Sequence, residues 1–307
     1  MTRTSTATAF DRAIQSMNSQ QARLQQLQAQ IATGRKAGRA ADDPVAAAQS
    51  ESVRGEITRI DVERRMVGFA RTILQQADTA LATGTDIVNT ARDLVLQANN
   101  STLTPADRAS IASQIGGLRA ELLSVANTRD GAGAFVFGGQ GSRTAPFVET
   151  AGVVGYTADP GNQQTGQDTR VSTSLDGHAT FMSVPDGAGG RQSIFDVLDA
   201  AIAVLSDPDA TTADIGAAAQ AAIDGLDSGL GSMSLARTNV GAQLRMIDQV
   251  EGSLDNSELD AQTRLSAIVD VDFAAAISEF AKVHTGLQAA MQTYSKLSST
   301  SLFNYLR

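Results

Sequence analysis

Cysteine and tryptophan are absent from this chain, and aromatic residues make up only 4% of it. Without thiols there is no disulfide framework, no thiolate nucleophile and no cysteine-based metal site. Large aromatic rings dominate most cores, so a chain this poor in them is expected to pack mainly Ala, Leu, Val and Ile. That composition suits long, closely approaching helices. Histidine is nearly missing as well. His178 and His284 stand far apart, with no paired metal-ligand spacing around either, so no metal and no cofactor is expected. No apolar run approaches the ~18 residues of a membrane-spanning helix. The opening Met1-Thr2-Arg3-Thr4-Ser5-Thr6-Ala7 leads into no apolar stretch of the kind a cleaved secretory signal carries. Acidic residues outnumber basic ones, 33 to 24, for a net charge of −9. With no dense basic face, nucleic acid is not an expected partner. Taken alone, these absences leave the cytoplasm as the default location.

Sites for chemistry are equally scarce. Gly131-Ala132-Gly133 follows a helix-like stretch and precedes a strand-like one, the reverse of the order a dinucleotide fingerprint needs. Gly138-Gly139-Gln140-Gly141-Ser142-Arg143-Thr144 lacks the lysine and spacing of a phosphate loop. Asp207-Pro208-Asp209 fails as a calcium loop, because its sixth and twelfth positions are Thr212 and Ala218. These stretches read as structural turns, and the chain reads as a non-enzyme.

What the sequence has in abundance is seven-residue periodicity. From Phe273, alternating steps of four and three reach Ile277, Phe280, His284, Leu287, Met291, Tyr294, Ser298, Ser301 and Tyr305. Near the other end, Phe10, Ile14, Met17, Gln21, Leu24, Gln28 and Ile31 follow the same alternation. A 3.5-residue period is the seam of a helix lying along another helix, and on such a seam His284 reads as a packing residue. The two termini are therefore expected to close one coiled coil, although two surface helices on a globular core would share the period. The tail favours the coiled coil. Leu302, Phe303, Tyr305 and Leu306 put apolar groups on nearly every face, and such a helix needs neighbours on more than one side.

Between the termini, Thr33-Gly34 ends the first helix, with Gly34 a left-handed cap. Asp43-Pro44 starts the second, the carboxylate accepting from free amides and Pro filling the first helical position. The cluster Arg35, Lys36 and Arg39 lies in the loop before it, either solvated or in contact with a neighbouring chain. Helix two runs toward Ala98 on Val53, Ile57, Ile60, Val67, Leu74, Leu81, Val88 and Val95, with a second stripe at Val62, Met66, Phe69, Ile73 and Ile87. Thr104-Pro105-Ala106-Asp107 caps a third helix ending near Asn127. From Gly131 to Gly190 the texture turns to Gly, Thr and Ser with short β-prone runs, among them Phe135-Val136-Phe137 and Val153-Val154-Gly155-Tyr156. Ser193 to Asp196 caps another helix. From Thr212 a pattern through Leu226, Met233, Val240, Ile247, Leu254 and Ala261 continues without a break to Asp270-Val271-Asp272. A helix of about 55 residues is roughly 80 Å long, so a rod is expected. The expected fold is mainly α, an elongated bundle of long helices with a coiled coil formed by both termini and a small inserted β-rich domain. Its expected parts are 1–40 with 270–307 (terminal), 41–135 with 191–269 (inner) and 136–190 (inserted).

The set of motifs resembles a known family. Ile31-Ala32-Thr33-Gly34-Arg35-Lys36, followed by Ala41-Asp42-Asp43-Pro44-Val45-Ala46-Ala47-Ala48, resembles the N-terminal region of flagellins and flagellar hook-associated proteins. The Asp-Asp-Pro form is closer to hook–filament junction members than to flagellin. Ala126-Asn127-Thr128 through Phe135-Val136-Phe137-Gly138-Gly139, then Thr144-Ala145-Pro146-Phe147, resembles the passage into their outer domain. Arg237-Thr238-Asn239-Val240-Gly241-Ala242 and the ending Ser301-Leu302-Phe303-Asn304-Tyr305-Leu306 match as well. The resemblance implies a structural role at the hook–filament junction, as a ring of about eleven copies between the preceding hook-associated protein and flagellin. It also implies an export chaperone, passage through the flagellar type III export apparatus without a cleaved signal, and an extracellular location that replaces the cytoplasmic default. Flagellin itself, and a cytoplasmic helical scaffold or signalling protein, are the alternatives. In the junction role the expected subunit interface is Phe10, Ile14, Met17, Leu24 and Ile31 with Phe273, Ile277, Phe280, Leu287, Met291, Tyr294, Leu302, Phe303 and Leu306. The expected loop and cap set is Gly34, Arg35, Asp42, Asp43 and Pro44.

Overall fold

The computed structural model describes residues 6–140, 143–162, 164–165, 171–186 and 190–299. Helices dominate them: α1 (Thr6–Thr33), α2 (Pro44–Ala98), α3 (Pro105–Ala126), α4 (Ile194–Ser206), α5 (Thr212–Val269) and α6 (Phe273–Ser299). Their starts are written in the sequence. Asp43 Oδ1 accepts from the Ala46 amide at 2.9 Å, with Pro44 opening α2 behind it. Thr104 with Asp107, and Ser193 with Asp196, form reciprocal capping boxes at α3 and α4. Thr211 and Asp214 exchange the same pair of bonds at the start of α5. The chain divides into two compact units, Met1–Ile60 with Asn256–Arg307, and Asp61–Asp255.

Within Asp61–Asp255 the core is a seven-residue ladder on two helices. Val67, Leu74, Leu81, Val88 and Val95 of α2 are buried, as are Leu226, Met233, Val240, Ile247 and Leu254 of α5. Ion pairs cross between the helices along one flank: Arg64–Asp255 at 2.9 Å, Arg71–Asp248 at 2.6 Å, Arg71–Glu251 at 2.7 Å, Asp78–Arg237 at 3.0 Å and Arg92–Asp227 at 2.7 Å. Partner numbers on α5 fall as those on α2 rise, so the helices run antiparallel. Exposed pairs of this kind each contribute little stability. Their spacing, at Arg64, Arg71, Asp78 and Arg92, instead fixes the register in which the apolar ladders meet.

Helices α3 and α4 pack on this pair. A β-carbon at Gly84 would stand 3.5 Å from Leu122 of α3 and 3.7 Å from Met233 of α5, so α3 lies over the groove between α2 and α5. On α5, β-carbons at Gly225 and Gly229 would come within 2.8 Å of Val197 and 2.6 Å of Ile194. Only glycine lets α4 approach that closely.

Among the described residues between α3 and α4, the strands pair antiparallel: β1 (Phe147–Thr150) with β2 (Val153–Tyr156), β3 (Gln164–Thr165) with β4 (Val171–Ser172), and β5 (Val184–Pro185) with β6 (Arg191–Gln192). The first closes through Ala151 and Gly152, both at positive φ, which matches the twist of its strands. A π-helical turn, His178–Met182, separates the second and third. Two expectations need correction here. Phe135-Val136-Phe137 pairs through a single bridge to Arg129 and otherwise turns, because its side chains are wanted inside rather than on alternating faces. The scarcity of aromatics does not extend to this region either. Phe137, Phe147, Phe181 and the α4 residue Phe195 meet at ring separations of 5.3–6.5 Å, and this aromatic cluster is its core. The arrangement suits hairpins too short to bury a face with aliphatic side chains.

Arg119 fastens this region to the helices. Its guanidinium donates to Glu149 of β1 at 3.1 Å, to the Gly152 carbonyl at 3.1 Å and to Asp199 of α4 at 2.9 Å. Burial alone would lower its pKa, but the bonds to the two carboxylates outweigh burial and raise it. Burial, then the charges of Asp176 and Asp159, pushes the Tyr156 phenol up to about 12. The phenol is therefore a neutral donor, to the Phe137 carbonyl at 3.2 Å.

Candidate functional site

The terminal helices and the loop that joins them to α2 and α5 make the candidate site, all within one compact unit. Helix α1 ends at Gly34, whose φ of 71° is the left-handed cap the sequence predicts. The chain then runs as a short strand against the α5–α6 link. Arg35 bridges Asp270, the Lys36 amide donates to the Val269 carbonyl at 2.8 Å, and the Val271 amide donates to the Gly34 carbonyl at 2.9 Å. Lys36 Nζ also reaches the Ala267 carbonyl. Asp270-Val271-Asp272 is thus more than a helix break. It holds the first and last helices at one hinge, with Asp272 Oδ1 accepting from the Ala275 amide at 3.1 Å to open α6.

Asp42 organises the rest of the loop by accepting from the Arg39 amide at 3.0 Å. Between this loop, the first turns of α2 and the end of α5 lies a cleft of about 220 Å³, lined by Arg35, Arg39 and Asp43 and by Glu51 and Arg54, which pair with each other at 2.5 Å. On the adjoining turn, Arg264 reaches from α5 to Glu56 of α2 at 2.7 Å. Val53, Ile60 and Ala261 continue the buried seven-residue ladder in this unit.

Helix α6 packs antiparallel on α1. Phe10 meets Tyr294 edge-on at 5.6 Å, Gly286 lies beside Gln20, and Gly34 lies beside Phe273. Most of the sevenths of the expected seams are at the contact: Phe10, Met17, Leu24 and Ile31 on α1, and Phe280, Leu287 and Tyr294 on α6 are buried or half-buried, while Phe273, the seventh before Phe280, is not. The positions between them are displaced by one residue. Ala13, Gln20 and Leu27 fill them on α1, and Ala276, Val283 and Ala290 on α6, so the steps run three then four. Leu27 is the most buried residue of α1 and lay outside the expected seam. Ile14, Phe273, Ile277 and Met291 are exposed instead, Ile277 to 54%, and His284 stands exposed with its ring stacked 6.0 Å from Phe280. The expected interface therefore divides into an inner seam and an outward apolar stripe. Leu302, Phe303 and Leu306 lie outside the described residues.

Among the described residues, no group of three or more His, Asp or Glu side chains gathers as a metal site, and no helix is long and apolar enough to cross a membrane.

Comparison with known proteins gives these paired helices a family. Residues 4–142 match the bacterial flagellin N-terminal helical region and residues 223–306 the bacterial flagellin C-terminal helical region. Flagellar hook-associated protein 3 of Escherichia coli K12 is 30% identical, with 98% of both chains covered. A flagellin of Bacillus subtilis is 27% identical over 85% of this chain and 84% of its own. Among solved structures, Xanthomonas campestris FlgL has a similar fold at a TM-score of 0.61 and 24% identity, covering 71% of this chain and 99% of that one. With near-complete coverage on both sides, the chain belongs to the flagellar hook-associated protein 3 family, built on the N- and C-terminal helical regions of flagellin.

Proposed function

We propose that this protein is a structural subunit of the bacterial flagellum, joining the preceding hook-associated protein to the flagellin filament as a ring of about eleven copies at the hook–filament junction. The observation that carries the reading is the full-length correspondence to hook-associated protein 3, on a chain whose two ends pair with each other. The flagellin reading has weaker support, from a relative matched over less of each chain. Export would proceed through the flagellar type III apparatus with a chaperone and without a cleaved signal, giving an extracellular location.

In this reading 1–40 with 270–307 form the terminal domain, 41–135 with 191–269 the inner helical domain and 136–190 the outer one. The subunit interface is the outward stripe of Ile14, Phe273, Ile277 and Met291, backed by the inner seam residues and extended by the tail Leu302, Phe303 and Leu306. Apolar groups exposed in rows mark contact surfaces. The loop from Gly34 to Pro44 sets how the terminal pair meets α2 and α5.

Labelling the protein in sheared flagella tests the reading. The expected result is signal at the boundary of hook and filament alone, and flagellin shed into the medium when the gene is deleted. Signal along the whole filament would favour flagellin, and recovery from cells but never from flagella would favour a cytoplasmic scaffold.

A further inference from the structure

Little in the sequence at the end of α5 stops that helix from within. Asp270, Val271 and Asp272 separate it from α6, and they include neither glycine nor proline. Asp and Val are middling helix formers, well short of the penalties those two breakers carry. The last turn of α5 also holds no basic residue to meet its terminal carbonyls. Asp272 opens α6 from the far side of the gap, through the Ala275 amide. On the α5 side the closure comes from Lys36, 231 residues away from its acceptor Ala267.

A helix running on from α5 into α6 would have each carbonyl accept from the amide four residues later. Ala267 would take Val271, and Val269 would take Phe273. Three of these four groups are diverted to the loop after α1. The Val271 amide donates to the Gly34 carbonyl at 2.9 Å, and the Val269 carbonyl accepts from the Lys36 amide at 2.8 Å. The Ala267 carbonyl accepts from Lys36 Nζ at 2.5 Å. Lys36 is held in turn by Gln30 of α1, whose Nε2 donates to the Lys36 carbonyl. The loop therefore competes, bond for bond, with continuation of the helix.

We infer that Lys36 is a conformational switch for the C-terminal helices: docked, it parts α5 from α6, and undocked, it lets the two run on as one helix. One residue supplies two of the three competing partners. Its ammonium sits where the α5 dipole favours a cation, and a charge-assisted bond outweighs the neutral one it replaces. Phe273, beside Gly34, then becomes the first residue of a separate helix only when the end of α1 is in place. The two ends of the chain thus depend on each other through this loop as well as through their seam. The switch is a property of the single chain and holds or fails apart from the junction reading. Within that reading it makes the outward stripe at Phe273 and Ile277 conditional on the first helix.

Backbone carbon chemical shifts of Asp270, Val271 and Asp272, with exchange of the Val271 amide, test this in the full-length chain. Lys36→Met removes the ammonium and keeps the amide, Lys36→Pro removes both donors, and Lys36→Arg keeps both. Non-helical shifts are expected in the wild type and in Lys36→Arg. In Lys36→Pro the three residues should move to helical shifts with the Val271 amide still protected, now by the Ala267 carbonyl, and Lys36→Met should move part of the way. Non-helical shifts in Lys36→Pro, with Val271 exchanging about tenfold faster or more, would mean that the helix end frays instead of joining, and would overturn the inference. Unchanged shifts in both variants, or helical shifts already in the wild type, would overturn it too. The amide of Val88, buried in the other unit, is the control for global folding. Should Lys36→Pro speed exchange there as well, the shift in Lys36→Met decides alone. Labelling of sheared flagella decides the junction reading separately, whichever way the shifts fall.

Discussion

Single residues in this protein act at the places where elements close on one another. Gly177 precedes the π-helical turn with an ordinary right-handed backbone, so conformation does not demand glycine there. Space does. A β-carbon would meet the Phe137 carbonyl at 2.5 Å and the Phe147 ring at 2.9 Å, in the middle of the aromatic cluster. Gly177→Ala is expected to cost about 1–3 kcal/mol by overpacking, read as a lower thermal midpoint with the helical signal at low temperature unchanged. The capping carboxylates give a second residue-scale prediction. Hydrogen bonds from the Thr104 and Thr211 hydroxyls and amides hold Asp107 and Asp214 below the ordinary carboxylate range. A carboxylate whose folded pKa is depressed gives stabilisation that is complete above its unfolded value and is lost as pH falls through the folded one. The midpoint of the wild-type chain should therefore fall more steeply on acidification below pH ~4 than that of an Asp107→Asn, Asp214→Asn variant. Equal slopes would remove the caps from the acid response.

At the scale of elements, the inner seam predicts an asymmetry between two large aliphatic residues of α1. Leu27 is buried against α6 and Ile14 faces out. Leu27→Ala should destabilise the terminal pair by about 2–5 kcal/mol, whereas Ile14→Ala should stay within about 0.5 kcal/mol. Amide exchange along α1 and α6 measures both. The same pair shows what the sequence makes legible. A seven-residue repeat is visible in any phase, so Phe10, Met17, Leu24 and Ile31 are found whether the steps run four–three or three–four. Choosing the intermediate position by size selects Ile14 and Ile277, while close helix packing selects Ala13 and Ala276, whose small side chains let the backbones approach. Helix boundaries were legible because Pro44, Thr104, Ser193 and Gly34 each do one local job. The aromatic core was not, because Phe137, Phe147, Phe181 and Phe195 meet only after hairpins and a helix distant in sequence have come together. The bridge of Arg35 to Asp270 was hidden for the same reason, although both flanking segments stood out as interruptions.

For the whole molecule, burial in the isolated chain and burial in the assembly become separable. The ladder of buried sevenths on α2 and α5 and the inner seam of α1 and α6 are satisfied within one copy, so charges introduced there damage folding before assembly begins. The outward stripe is different. Ile277 is more than half exposed in the single chain, so Ile277→Asp places its carboxylate in water and should change the stability of the monomer by no more than about 0.5 kcal/mol. If neighbouring copies cover the stripe, the same carboxylate must be stripped of water in the ring without a partner, which is far more costly. Leu287→Asp serves as the contrast, because Leu287 is already half-buried against α1 and its replacement should lower monomer stability as well. The expected outcome for Ile277→Asp is a chain that melts like the wild type and is exported, in cells that shed flagellin monomers into the medium and lose motility. Full motility with intact filaments would show that this stripe faces solvent in the flagellum too, and would leave the tail residues Leu302, Phe303 and Leu306 to make the terminal contacts.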